Sequence, residues 1–290
     1  MIAFAGGGMR RELSGLWQEC FGDPAAYPEF FLGLFFAPQD CLVDREGGEL
    51  AAAVYLLPAQ VLENGRPVQA HYIFAAATAP RFRSRGIMSR LLERAAETGA
   101  ARGDRYSAVL PSNEELYRFY AASGYADFFS VRAADVPASR LRAAARGGWA
   151  PYAGSADALN RLRTELLAES DGSLLWSGEM FRKSVAMSGA YGDRLVAVQT
   201  GAGPAYALCH MENGACMLLE TAARKAAFPF LADAILREAP AERYRFRLPA
   251  DGGPFPGEGE LLRFGMIKAL GGGDRGAIRP GRPYLGLGMD

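Results

Sequence analysis

The chain has 290 residues and a mass of 31.2 kDa, with 50% hydrophobic and 22% charged positions. That composition supplies enough apolar material for one large or two modest globular domains. Its 32 basic and 32 acidic residues cancel, which argues against nucleic acid or an anionic membrane as partner, since neither would be drawn by long-range charge.

No apolar run reaches the roughly 18 residues needed to span a bilayer. The N-terminal Met-Ile-Ala-Phe-Ala-Gly-Gly-Gly lacks the basic flank and apolar length of a signal peptide. Cys20, Cys41, Cys209 and Cys216 form no CxxC pair, and with two histidines they make a poor metal set. The expectation is a reduced, cytoplasmic protein without a metal. Lys183, Lys225 and Lys268 are the only lysines, and the arginines are spread along the whole chain, which reads as genome composition.

In chain order, two helices are predicted at about 9–22 and 24–37. Turn signals at Gly47-Gly48 and Asn64-Gly65 then separate strands near 40–45, 49–62 and 66–79. An Asn-Gly pair favours a type I′ hairpin because both central residues must take positive φ. From Gly86 to about Arg102 the apolar residues Ile87, Leu91, Leu92, Ala95 and Ala96 form a helical stripe. A strand at 105–110, a helix at 113–122 and a strand at 125–132 follow. The second half echoes this order, with helices at 155–168 and 176–188 and strands at 194–199, 203–211 and 215–220. A helix at 223–238 and strands at 242–248 and 265–270 complete it. Asn213-Gly214 occupies the hairpin slot of Asn64-Gly65, so an internal duplication of about 140 residues is expected, with a boundary near 135–152. One continuous α/β domain whose order merely repeats is the alternative.

The chemistry concentrates between Ala75 and Tyr125. The strand HYIFAAAT (71–78) runs through Ala79-Pro80-Arg81-Phe82-Arg83-Ser84-Arg85-Gly86-Ile87-Met88 directly into a helix. Such a turn suits a polyanion: the first helical N–H groups lack intrahelical partners and the helix dipole is positive there. Gly86 allows close backbone approach, and Arg83 and Arg85 add charge. A solvated basic turn is the alternative for this loop taken alone. About 35 residues later, Asn113-Glu-Glu-Leu-Tyr-Arg-Phe-Tyr-Ala-Ala-Ser-Gly-Tyr125 gives a helix ending in Tyr-x-x-x-Gly-Tyr.

These two segments resemble the GNAT superfamily of acyl-CoA-dependent N-acyltransferases. Arg83-x-x-Gly86 matches the family's Gln/Arg-x-x-Gly-x-Gly/Ala loop, with Met88 where Gly or Ala is usual, and Tyr120, Gly124 and Tyr125 match the second motif. The resemblance covers residues 1–132. It implies an α+β fold, with a mixed, mostly antiparallel GNAT-type sheet flanked by helices. It implies acetyl-CoA as co-substrate: Ala76, Ala77 and Thr78 pairing with the pantetheine arm, Arg83, Ser84, Arg85, Gly86, Ile87 and Met88 holding the pyrophosphate, and Ser112 and Asn113 touching the lower cofactor arm. Tyr120 aligns with the tyrosine that protonates the departing thiolate, with Tyr117 as the alternative on the same helix face. His71, on the cofactor strand, is the candidate base that deprotonates the amine, and a structural histidine is its other reading.

The second half has no glycine at the corresponding helix entry, Thr221-Ala222-Ala223-Arg224-Lys225, and Phe264-Gly265-Met266 is read as an echo of Ser123-Gly124-Tyr125. The expected organisation is a catalytic GNAT domain at 1–135 and a degenerate GNAT-like domain at 150–290, similar to tandem, Eis-like enzymes but without their sterol-carrier-like domain. In Eis-like relatives that domain brings a chain-end carboxylate to the site, and with the sequence ending at Asp290 the role is not carried over. The expected acceptor is a small-molecule amine or an exposed amino group. Tyr27, Phe30, Phe31, Phe35 and Phe36, with Glu29 and Asp23, line the helical pair that would form one acceptor wall, although most of these phenylalanines read as core. A mycothiol-synthase-like or aminoacyl transferase and a non-catalytic acyl-CoA sensor are the competing functions. The oligomeric state is left open, a homo-oligomer included.

Overall fold

In the computed structural model, Asn64 and Gly65 take φ of 52° and 73°, and Asn213 and Gly214 take 49° and 76°. Each Asn-Gly pair therefore closes a hairpin whose twist suits the flanking strands. The structure describes residues 1–271, 274–279 and 281–288. The elements up to residue 127 are β1 (Ile2–Phe4), α1 (Arg10–Phe21), α2 (Ala26–Phe35), β2 (Cys41–Glu46), β3 (Glu49–Glu63), β4 (Arg66–Thr78), α3 (Ile87–Arg102), β5 (Tyr106–Val109), α4 (Glu114–Ala122) and β6 (Ala126–Asp127). There follow β7 (Ser130–Pro137), α5 (Ala138–Ala144), β8 (Ala150–Pro151), α6 (Ala156–Leu167), β9 (Leu174–Leu175), α7 (Gly178–Ala190), β10 (Arg194–Thr200), β11 (Gly203–Glu212), β12 (Ala215–Ala222), α8 (Phe228–Glu238), β13 (Arg243–Leu248), β14 (Glu260–Arg263) and β15 (Met266–Ala269).

The chain divides into two compact units. The first contains Met1–Val61, Val68–Asp127 and Gly265–Ala277, and the second contains Leu62–Pro67, Phe128–Phe264 and Ile278–Asp290. In the first unit the strands run in the order β1-β2-β3-β4-β5-β15-β6. Strand β4 pairs with β5 in parallel, from Ala70↔Tyr106 to Ile73↔Val109, and β15 is antiparallel to both β5 and β6. Helix α3 buries the stripe its sequence predicts, with Ile87, Leu91, Leu92 and Ala95 at 2% exposure or less, each large aliphatic side chain contributing about 1.5–3 kcal/mol. Helix α4 starts at Asn113, whose Oδ1 accepts from the Leu116 N–H at 3.0 Å, a cap typically supporting about 1 kcal/mol. An aromatic cluster joins α1 and α2 to the sheet: Phe31 lies 4.9 Å from Trp17, 5.0 Å from Tyr55 and 5.1 Å from Phe74, centroid to centroid.

The second unit repeats the strand grammar. Its sheet runs β14-β7-β13-β12-β11-β10-β8, with β12 and β13 parallel and their neighbours antiparallel. Strands β10, β11, β12 and β13 thus occupy the positions of β2, β3, β4 and β5, while β7 stands where β15 stands in the first sheet and β14 where β6 stands. In place of a helix between β13 and β14, the segment 249–259 wraps Arg132, whose guanidinium donates to the carbonyls of Ala250, Gly252, Phe255 and Glu258. A buried pair, Arg163 Nε to Glu220 Oε1 at 2.7 Å, is completed by the Tyr206 hydroxyl, also 2.7 Å from Oε1.

Several expectations change. The strand expected at 125–132 is two strands, β6 and β7, in different sheets. The strand expected at 265–270 belongs to the first unit, so the units are not the contiguous segments 1–135 and 150–290. The reason is that alternation gives a strand its faces but not its neighbour in the sheet. By topology, Phe264-Gly265 matches the Phe128-Phe129 connection and does not match Ser123-Gly124. Helix α8 begins at Phe228, later than 223, with Pro229 in its first turn, where proline's missing N–H is harmless. Strand β14 and helix α5 were not anticipated. Of the expected acceptor wall, Phe31 and Phe35 are core, Phe30 is exposed, and Asp23 accepts from Trp17 Nε1 at 2.7 Å. Among the described residues, no helix is long and apolar enough to cross a membrane.

Candidate active site

Strand β4 outlasts its parallel partner. Pairing with β5 ends at Ile73↔Val109, yet β4 continues to Thr78. Its edge from Phe74 onward consequently pairs with no strand on that side among the described residues, so backbone polar groups there can pair with an extended ligand. Ala75 marks the divergence with φ of 45°, a left-handed conformation that costs an alanine about 1–2 kcal/mol. Ala76, Ala77 and Thr78 lie on the diverging segment. The Thr78 carbonyl is already engaged, accepting from Arg83 Nε at 3.1 Å and from Cys20 Sγ at 3.3 Å.

The segment from Arg83 to Met88 joins this strand end to α3. Ser84 and Gly86 both adopt positive φ, 61° and 70°, and Gly86 is the N-cap of α3 with no side chain capping the helix. The first intrahelical bond runs from the Arg90 N–H to the Gly86 carbonyl, leaving the N–H groups of Ile87, Met88 and Ser89 without helical partners. Residues 83–86 are exposed, Ile87 is buried, and Met88 is half-buried. Arg81 pairs with Glu19 and Glu49. Arg83 and Arg85 have no carboxylate partner among the described residues, and Arg85 rests over the Phe82 ring at 5.4 Å. Uncapped amides beside two uncompensated arginines make this helix entry attractive to an anion.

Tyr117, Tyr120 and Tyr125 share one buried cluster with Ile73, Ile87 and Leu91, and Ala76 and Met88 pack against it. That cluster gathers the diverging strand, the loop and α4. The three hydroxyls differ in use. Tyr117 accepts from the Gly265 N–H at 2.9 Å, and Tyr125 shares a 2.6 Å bond with Ser107 Oγ. The Tyr120 hydroxyl makes no hydrogen bond among the described residues. Burial, reinforced by Tyr125 nearby, pushes the Tyr120 phenol well above its ordinary range, so it carries its proton at neutral pH.

His71 stands apart. It is 2% exposed, its Nδ1 lies 2.8 Å from Asp104 Oδ2, and a Cβ at Gly99 would come within 2.5 Å of its ring. It precedes Thr78 by seven residues, about 23 Å of extended chain. His71 thus ties β4 to the C-terminal end of α3 and to Asp104 just beyond it. Asn113 spends its side-chain oxygen on the α4 cap, while Ser112 is exposed at the start of that turn. Asp290 lies outside the described residues. Among the described residues no group of three or more His, Cys, Asp or Glu side chains is placed to hold a metal ion. Sequence reasoning missed the bend at Ala75, for which an alanine run gives no signal, and the Ser107–Tyr125 bond, which local spacing does not encode.

Residues 10–126 match the model of the acetyltransferase (GNAT) domain. Among solved structures, the chain is similar to a conserved protein of unknown function from Enterococcus faecalis V583, titled a probable N-acyltransferase, at 16% identity and a TM-score of 0.74, covering 93% of this chain and 73% of that one. It is similar to Eis1 from Mycobacterium abscessus at 16% identity and a TM-score of 0.69, with the same coverages of 93% and 73%. A tandem GNAT protein from the clavulanic acid biosynthesis pathway matches at 19% identity and a TM-score of 0.55, covering 94% of this chain and 99% of that one. At these identities the likeness establishes the fold, and function is argued from the site. No curated protein matches this sequence.

Proposed function

We propose, from the premise that residues 10–126 constitute an acetyltransferase (GNAT) domain, that this chain moves the acetyl group of acetyl-CoA onto an amine by direct attack, with Tyr120 as the proton donor. The observation that carries the reading is a strand edge freed at Phe74–Thr78 that leads into the uncapped N-terminus of α3. An extended pantetheine arm suits the strand edge, and a pyrophosphate suits the amides and arginines of residues 83–88.

The amine nitrogen attacks the thioester carbonyl and gives up its extra proton to solvent, the carbon–sulfur bond breaks, the thiolate takes the Tyr120 proton, and the phenolate left behind regains one from solvent. A phenol whose proton is retained and whose oxygen has no competing bond is suited to that step. Tyr117 is a weaker candidate because its hydroxyl already serves Gly265. No base is assigned: the buried His71–Asp104 pair points to a structural role. The acceptor is a small-molecule amine or an exposed amino group. The matching strand order of the second unit supports its reading as a degenerate GNAT-like unit, in which an arginine-clasped loop stands where the first unit has α4 and Tyr120.

The test is CoA thiol release from acetyl-CoA across a panel of amines, with wild type and Tyr120→Phe. Amine-dependent release by wild type and a loss of about 10²–10⁴-fold in the variant, with acetyl-CoA affinity retained, are the expected results. Tight cofactor binding with no release on any amine would favour a sensor, and full activity in Tyr120→Phe would remove its role.

A further inference from the structure

Behind the loop, a buried carboxylate faces two cationic groups. Asp44 on β2 is 2% exposed and lies 2.6 Å from the Met1 nitrogen and 3.6 Å from Arg90 Nη2. Arg90, in the first turn of α3, reaches Glu46 at 3.6 Å, and its Nη1 donates to the Arg85 carbonyl at 3.1 Å. The same Nη1 would be the nearest atom to a Cβ at Gly86, at 3.7 Å. One guanidinium therefore links two carboxylates on β2 to the single peptide unit that enters α3.

In a trans peptide the C=O and N–H point in opposite directions. Holding the Arg85 carbonyl toward Arg90 turns the Gly86 N–H the other way, away from the guanidinium. Arg90 is itself compensated by Asp44 and Glu46, unlike Arg83 and Arg85, and its rigid fork can serve a carbonyl and a carboxylate at once.

We propose that Arg90, anchored by Asp44, is a positioning residue for anion binding at residues 83–88: it fixes the Arg85–Gly86 peptide so that the Gly86 amide joins the free amides of α3, and it does not touch the anion. This inference rests on the acyl-CoA reading above.

Calorimetric titration of wild type, Arg90→Ala and Asp44→Asn with acetyl-CoA and with S-acetylpantetheine, which keeps the thioester and arm but lacks the phosphates, tests it. Arg90→Ala is expected to weaken acetyl-CoA about tenfold and to leave S-acetylpantetheine within about twofold. Asp44→Asn, which releases Arg90, is expected to weaken acetyl-CoA as well. Equal losses for both ligands, or no loss in Arg90→Ala, overturn the proposal. Tighter acetyl-CoA binding in Asp44→Asn also overturns it, because a freed Arg90 would then be contacting the anion. Should Asp44→Asn not fold, the salt dependence of the Arg90→Ala loss decides: a constant loss fits positioning, and a loss that shrinks as salt screens the charges marks direct contact. If wild type binds no acetyl-CoA, the acyl-CoA reading fails first and this inference with it. Wild-type binding with an unaltered Arg90→Ala removes only the inference.

Discussion

Tyr120, Tyr117 and Tyr125 lie within one buried cluster, and their hydroxyl partners set them apart: Tyr125 holds Ser107, Tyr117 holds the Gly265 N–H, and Tyr120 holds neither side chain nor backbone among the described residues. Tyr117→Phe leaves a buried N–H without its acceptor, so a stability loss of about 1–3 kcal/mol is expected, read as a lower denaturant midpoint with acetyl transfer largely kept. Tyr120→Phe should do the reverse, sparing stability and removing turnover. The phenols of Tyr120 and Tyr125 are both raised by burial. Their folded-state values lie above the unfolded one, so their contribution to stability is complete below about pH 10 and is lost as pH rises beyond it. Denaturation midpoints should hold from pH 7 to 9 on this account and fall above pH 10. Tyr120→Phe and Tyr125→Phe test this by each flattening part of that fall.

At the scale of single elements, the entry to α3 depends on backbone geometry at one glycine. Gly86 has φ of 70° with only the Arg90 side chain near a prospective Cβ. Gly86→Asp adds left-handed strain of about 1–2 kcal/mol and a negative charge where an anion is proposed to bind, so acetyl-CoA binding should be abolished while the fold survives, as judged by circular dichroism. This element was legible in the sequence: the Ile87-Leu91-Leu92-Ala95 stripe, the glycine and the flanking arginines are all local signals. A cofactor-pairing role for Ala76–Thr78 was expected only through the family resemblance, and the divergence of β4 from β5 was not legible, because Ala75 has no chemical signature for positive φ. His71 shows the opposite failing. Its position on the strand suggested a base, and only the packing of Gly99 and Asp104 around the ring favours the structural reading. Arg90 escaped notice because its partners, Asp44 and Glu46, lie on a strand far away in sequence.

At the scale of the whole molecule, the internal repeat was visible as a repeated order of elements with two Asn-Gly turns in matching slots. The assignment of strands to sheets was not, because β7 and β15 read as ordinary alternating segments in either half. Strand β15, from residues 266–269, pairs with β5 and β6, and its neighbour Gly265 binds Tyr117. A fragment ending at residue 135 would therefore lack a strand of its own sheet and should fail to give a cooperative unfolding transition. Adding a synthetic peptide covering residues 260–271 is expected to improve it. In the second unit, Arg163→Ala strands the buried Glu220 carboxylate, so a loss of about 3–5 kcal/mol is expected, measurable by thermal unfolding. The central claim concerns the loop at residues 83–88, and calorimetric titration with acetyl-CoA of wild type beside Gly86→Asp tests it most directly. Low-micromolar or tighter binding to wild type, absent from a folded Gly86→Asp, is the predicted result. No binding to wild type, or binding that survives in Gly86→Asp, would contradict the account.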